Sequence, residues 1–159
     1  MYTETVTTIT VCSSANFYRQ AVDIQAQLEK LGYKALIPAN AERMKKTRDF
    51  DVTKTKTWFG NEGDYHKKTK LIRGHFLEVE LADSILVLNY EKHGTKNYIG
   101  GNVLKEMAIA FFLNKPIFIL NDIPEDSTFL EEIKGMEPIV LHGKLDSIPT
   151  EYSRLARAS

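Results

Sequence analysis

The run Ile85-Leu86-Val87-Leu88, closed by Asn89, constrains this chain more than any other stretch. Its lack of alternation demands apolar surroundings on both sides, as in a strand buried between two layers. A polar loop, E-K-H-G-T-K-N-Y-I-G-G, follows it, and then V-L-K-E-M-A-I-A. In that last segment Val103, Met107, Ala110 and Phe111 recur at helical spacing, and Asn102 is placed to cap the helix. The unit is therefore strand, loop, helix. In open α/β sheets, ligands bind at the carboxyl ends of strands, where such loops sit. Glu106 falls in the first turn of the helix, beside the loop. A carboxylate there is either a charge at the positive end of the helix dipole or a reacting group aimed into a cleft. Spacing alone favours the dipole role.

The rest of the chain repeats the alternation. Val6 to Val11 is rich in Thr and Val and reads as a strand. A helix follows from Asn16 to Lys30, with Ala21, Ile24, Leu28 and Leu31 on one stripe and Gly32 at its end. Tyr33 to Ile37 is a second strand closed by Pro38. Helical spacing returns after Lys67, where Leu77 and Leu81 widen the stripe of Ile72, Phe76 and Val79. Beyond the Val103 helix, Asn114-Lys115 turns the chain into P-I-F-I-L (Pro116 to Leu120). A short helix over Ser127 to Lys134 and the strand Pro138 to Leu141 follow. A partly helical tail from Leu145 closes the reading. The order β-α-β-loop-α-β-α-β-α-β predicts a five-stranded parallel sheet with helices on both faces. There is no internal repeat and no sign of a second domain, so residues 1–159 read as a single domain.

Composition narrows the function. Acidic and basic side chains balance at 21 each, which argues against a surface for nucleic acid polymers. Cys12 is the single cysteine, so neither an intrachain disulfide nor a cysteine zinc cluster is expected. The start, M-Y-T-E-T-V-T-T, lacks the basic and apolar parts of a signal peptide. No apolar run approaches the about 20 residues that span a bilayer. A soluble cytoplasmic protein without membrane partners is expected.

The candidate chemistry gathers after the strands. Ser13, Ser14 and Asn16 follow the first strand and can contact a ligand, though either serine can equally cap the next helix. Asn89, Asn97, Gly100, Gly101 and Asn102 lie at and after the central strand's end. Gly100-Gly101-Asn102 by itself is a weak phosphate signal, because no G-x-G-x-x-G or G-K-[ST] accompanies it. Ala39 to Lys70 is the least regular part. It carries the basic run Lys45-Lys46-Thr47-Arg48 and the aromatics Trp58, Phe59 and Tyr65. Those aromatics read either as a platform for a flat base or as a patch packed on the core, and the segment as a whole reads as a lid.

Several of these pieces together resemble the nucleoside 2-deoxyribosyltransferase superfamily, which includes the deoxynucleoside monophosphate N-glycosidases. The resemblance rests on the small-residue loop after the first strand, on Ala82-Asp83 before the central strand, on the Glu106 helix with its M-A-I-A, and on Lys115-Pro116 before the next strand. It covers most of the chain. It implies a three-layer, flavodoxin-like fold, a nucleoside or nucleotide as substrate, assembly into a homo-oligomer, and no cofactor or metal. It also implies that Glu106 attacks the anomeric carbon of a deoxyribonucleoside. A carboxylate suits that task because breaking an N-glycosidic bond builds positive charge on the sugar, which the carboxylate stabilises or captures.

The chain departs from the family pattern at three places. His75 stands where the family has an aspartate, and it can donate a proton or hydrogen-bond a sugar hydroxyl but cannot supply that negative charge. Gly100 falls near a family Asp or Ser that binds sugar or phosphate. Asn16 stands where nucleotide-binding relatives place an arginine, which removes a charge-assisted partner for a 5'-phosphate. Asp83 reads as a junction residue at the far end of the strand from the site. Three functions remain open: glycosidic cleavage or deoxyribosyl transfer, a non-catalytic nucleotide-binding or sensor module on the same fold, and a phosphoribohydrolase with a glycine-rich loop before its glutamate. The last needs an arginine near that loop, for which Arg73 is the nearest in sequence.

Overall fold

A computed structural model describes residues 6–149; the tail expectation beyond residue 149 lies outside the described residues. The strands are β1 (Thr8–Ser13), β2 (Lys34–Leu36), β3 (Ser84–Leu88), β4 (Ile117–Ile119) and β5 (Ile139–Val140). The helices are α1 (Tyr18–Lys30), α2 (Ala39–Thr47), α3 (Tyr65–Leu81), α4 (Gly101–Phe112) and α5 (Leu130–Gly135). All strand pairs are parallel, in the order β2-β1-β3-β4-β5. That order reverses direction beside β1 and β3, and the crevice for ligands lies at such a switch point. Ser13 pairs in register with Leu88, so the loops after β1 and β3 leave the sheet side by side.

Two apolar cores, one on each face of the sheet, make this a three-layer α/β fold of the flavodoxin-like kind. On one face Ile9, Val11, Leu86, Leu88 and Phe118 pack against Ala21, Ile24 and Leu28 of α1 and Ala41 and Met44 of α2. On the other, Cys12, Ile85, Val87, Ile117 and Ile119 pack against Val79 of α3, Val103, Met107 and Ala110 of α4, and Ile133 of α5. Among the described residues no helix is long and apolar enough to cross a membrane.

Two polar anchors fix the helices that carry the site. Lys115 donates to the carbonyls of Val79 (2.8 Å) and Ala82 (2.7 Å), and also to that of Glu80, at the carboxyl end of α3. This satisfies acceptors that the helix itself leaves open and sets a positive charge at the negative end of its dipole. Asp83 accepts from the Thr8 amide (2.8 Å) and so ties the α3–β3 junction to the start of β1.

Four expectations are corrected. The segment after Pro38 contains a helix, α2, that its polar sequence hid. Only Ala41 and Met44 are buried in it, and its docking rests on the buried Gln25, which donates to the Ala35 carbonyl (3.0 Å) and to Glu42 (2.9 Å) and accepts from Lys45 (3.0 Å). Second, α4 starts at Gly101 with Gly100 as its cap, so Asn102 is an exposed residue inside the helix and not its N-cap. Third, Glu106 therefore stands in the second turn, and the first turn holds no acidic side chain. Fourth, the apolar stripes are narrower than spacing suggested: Phe111, Leu77 and Leu81 are 52%, 56% and 76% exposed.

Candidate functional site

The carboxyl end of β1, the loop after β3, the start of α4 and one face of α3 enclose a cleft of about 110 Å³. Glu106 is at its floor and only 5% exposed. A surface charge that merely complements a helix dipole sits in the first turn and in water. Glu106 does neither, so the structure decides against the dipole role.

His75 reaches Glu106 from α3, with Nδ1 2.9 Å from Oε1. The pairing follows from topology. Helix α3 runs antiparallel to β3, so its middle turns lie beside the end of the strand from which the chain passes to α4. His75 Nε2 is buried and has no hydrogen-bond partner. An orphaned buried polar atom is unfavourable by about 1–3 kcal/mol and calls for a specific explanation.

Behind this pair stands Cys12, which drew notice in the sequence only as the single cysteine. Burial first, and then the charge and hydrogen bond of Glu106, push its thiol well above the usual thiol range. Tyr18, also lining the cleft, is raised by burial and then by Glu106 and Glu78. Beside the buried Glu106, Cys12 and Tyr18 thus keep their protons.

Glu78, one turn beyond His75 on α3, is pushed up to about 7, chiefly by burial, with His75 pulling it down and Glu106 pushing it up. Its protonated form is the one the fold prefers. The associated stability is full below the ordinary glutamate range and is lost as pH rises through about 7. Glu78→Gln is therefore expected to be more stable than the natural chain at pH 8, by on the order of 1–2 kcal/mol after discounting for partial exposure. The gain should vanish near pH 5. Thermal melts of both proteins across that pH range check this, and an equal difference at all pH values would refute it.

The mouth of the cleft is cationic. Lys56, Lys68 and Lys92 all line it. Lys92 donates to the Ser14 hydroxyl (3.0 Å) and lies 4.6 Å from the centre of the Tyr98 ring. Burial lowers the affinity of Lys68 and Lys92 for their protons, and neighbouring lysines lower it further: Lys105 and Lys56 for Lys68, Lys56 for Lys92. Among the described residues no carboxylate lies within ion-pair distance of Lys56, Lys68 or Lys92. An anion held between them relieves both the burial and the mutual repulsion. Lys92 could be found in the sequence only as one charge of a polar loop; its aim depends on the turn at 92–95, closed by the Lys92–Thr95 bridge with His93 and Gly94 at positive φ.

The residues singled out from sequence divide cleanly. Ser13, Ser14, His75, Gly100, Gly101, Asn102 and Glu106 share the cleft. Gly100 is there for space: a side chain on it would meet the Tyr98 hydroxyl at 2.7 Å. Asn16 is exposed in a turn of 3-10 helix and does not line the cleft, which corrects its expected place. Asn89 is fully buried but turned into the scaffold. It donates to the carbonyls of Asn121 (3.2 Å) and Asp122 (2.9 Å) and accepts from the Asn121 amide (2.8 Å), stapling the end of β3 to the loop after β4. Asn97 has positive φ and borders a separate groove between the loop 94–101 and residues 122–129. Of the aromatics after α2, Trp58 is buried and lines the cleft, with Lys68 5.5 Å from its ring, while Phe59 and Tyr65 are exposed and do not line it. Arg73 does not line it either.

Compared with protein-family models and with curated proteins, the chain matches none.

Proposed function

We propose that this protein cleaves the N-glycosidic bond of a deoxynucleotide or deoxynucleoside, with Glu106 as nucleophile and water or a second base as acceptor. The reading makes it a nucleoside 2-deoxyribosyltransferase-like enzyme. The observation that carries it is the buried Glu106 carboxylate at the floor of the cleft, 2.9 Å from His75. Charge that develops on a sugar ring beside such a group is stabilised more strongly than in water, because the surroundings are dry.

The other groups take roles that fit their chemistry. The Nδ1–H tautomer of His75 directs a proton at Glu106 and keeps one oxygen oriented. Nε2 is then an acceptor, and a sugar hydroxyl completes it directly or through one water. Ser13 and Ser14 border the sugar. The collar of Lys56, Lys68 and Lys92 favours a substrate with a phosphate, and it stands in for the arginine missing at Asn16. Trp58 offers apolar surface near the mouth.

A panel of deoxynucleosides and their 5'-monophosphates, assayed for free base by chromatography, tests the proposal. Base release is expected, with the monophosphates preferred. Lys92→Ala is expected to raise KM for a monophosphate roughly 10- to 100-fold and to leave the matching nucleoside nearly unchanged. Binding of the panel without any base release would instead favour the non-catalytic module.

A further inference from the structure

Glycosidic cleavage needs a group that takes up the charge of the departing base, and Glu106 and His75 at the floor of the cleft do not fill that role. Of the lysines at the start of α3, Lys67 and Lys70 are exposed, whereas Lys68 is half-buried. Lys68, Leu71 and His75 all line the cleft, since residues at this spacing share one face of a helix. Helix α3 runs antiparallel to β3, so its first turns rise past the sheet toward the mouth. Seven residues of helix span about 10 Å, which sets Lys68 that far above His75. The apolar Leu71 lies between them. A sugar carbon in reach of Glu106, about 3 Å away, seats the ring against Leu71 and carries its base up to the level of Lys68. There the ammonium rests 5.5 Å from the centre of the Trp58 ring and pairs with no carboxylate among the described residues.

The shape of a deoxynucleotide separates Lys68 from Lys92. The base on C1' and the phosphate-bearing arm on C4' leave the sugar on either side of its ring oxygen. Lys92 is held by Ser14 and Tyr98 on one side of the mouth, and Lys68 by Trp58 on α3's side. Lys56 loosens the protons of both, but neither of the two does so to the other. A phosphate held at Lys92 therefore sends the base toward Lys68. Burial, and then Lys105 and Lys56, loosen the Lys68 proton, with Glu106 opposing them, which suits an ammonium to give that proton up. A purine is activated by a proton on N7, far from the sugar. A pyrimidine has no such nitrogen, and a donor this close to the sugar reaches the carbonyl beside its glycosidic nitrogen. Building on the glycosidic reading, we propose that Lys68 is the acid for the leaving base, that this base is a 2-oxopyrimidine, and that Trp58 seats the ammonium. As the C1'–N1 bond breaks, its electron pair stays on the base and a Glu106 oxygen bonds to C1'. The Lys68 proton passes to the carbonyl oxygen, leaving a neutral base and a neutral amine. When water or a second base displaces Glu106 from C1', the proton lost by that acceptor returns to the amine.

Lys68→Met keeps the stem on Trp58 and removes the charge. Its kcat is compared with that of the natural chain on the deoxynucleosides of 5-fluorouracil, uracil and thymine and on their 5'-monophosphates, with circular dichroism as the check on folding. These bases leave less and less readily in that order. The loss is therefore expected to grow from a few-fold for 5-fluorouracil to about a hundredfold for thymine. The same graded loss is expected with and without the phosphate, in contrast to Lys92→Ala. A loss of equal size for all three bases, or one confined to the monophosphates, would overturn the proposal and leave the glycosidic reading in place. So would a natural chain that releases purines and none of these pyrimidines. A natural chain that releases no base from any deoxynucleoside or deoxynucleotide would defeat that reading itself, and the role of Lys68 with it.

Discussion

Glu106→Ala is expected to lower base release from any substrate the natural protein cleaves by about a thousandfold or more, while the protein stays folded. The size follows from losing the nucleophile itself, together with the stabilisation of the charge that develops on the sugar. Glu106→Gln should fall nearly as far, because the amide keeps the shape and loses the charge. Stability distinguishes this from a structural role. A carboxylate that is 5% exposed is unfavourable to bury, and its neighbour at 2.9 Å is an imidazole and not a lysine or arginine. The glutamine variant should therefore melt at the same temperature as the natural chain or higher. Full turnover in either variant would remove Glu106 from the chemistry, and a lower melting temperature with proportionate activity would make it a structural residue.

The second large effect is expected at His75. His75→Ala leaves Glu106 without its neighbour at 2.9 Å and removes the acceptor at Nε2. A fall in kcat of about a hundredfold is expected, the usual scale for a group that orients and polarises a reacting partner. His75→Asp should retain much of the activity on deoxynucleosides. The shorter side chain draws its carboxylate back from Glu106, and it restores the aspartate that the resembled family carries there. Steady-state kinetics of the two variants on one substrate check this. Unchanged kinetics in His75→Ala would end the assignment, as would His75→Asp being as impaired as the alanine variant.

The architecture was legible because its signals are local. Ile85 to Leu88 has no polar residue to place on a solvent face, so it had to be a central strand, and all five side chains of β3 are buried. Gly32, at φ 94, ends α1 as a glycine in that position should. What escaped was decided by tertiary contacts. Helix α2 is short and mostly polar, buries only Ala41 and Met44, and is held by Gln25, a residue of another helix. Asn102 was a better cap than Gly100 by side-chain chemistry, but the helix begins one residue earlier, at Gly101, and Tyr98 fills the space beside Gly100. That shift took Glu106 out of the first turn and into the floor of the cleft.

The site divides on the same principle. Glu106 and His75 could be paired from the sequence because the direction of α3 relative to β3 follows from a short helix–strand junction. The asparagines could not be sorted. Asn89 bonds to a loop more than thirty positions away, |i−j| = 32, and Asn97 turns to a different groove with its backbone at φ 52. The lysine collar was invisible for a related reason. Lys56, Lys68 and Lys92 come from a 3-10 turn region, a helix and a loop, and only the fold brings them around one opening.

The central claim is that Glu106 forms the bond to the sugar, and mass spectrometry of the acid-quenched protein tests it most directly. The protein is mixed with a deoxynucleoside 5'-monophosphate that it cleaves, stopped within the first turnover, and digested. The account predicts a mass gain equal to the deoxyribosyl phosphate on the peptide containing Glu106, formed together with one equivalent of free base and absent from Glu106→Gln. An adduct on a different residue, or steady base release by a Glu106→Gln protein that carries no adduct at all, would contradict it.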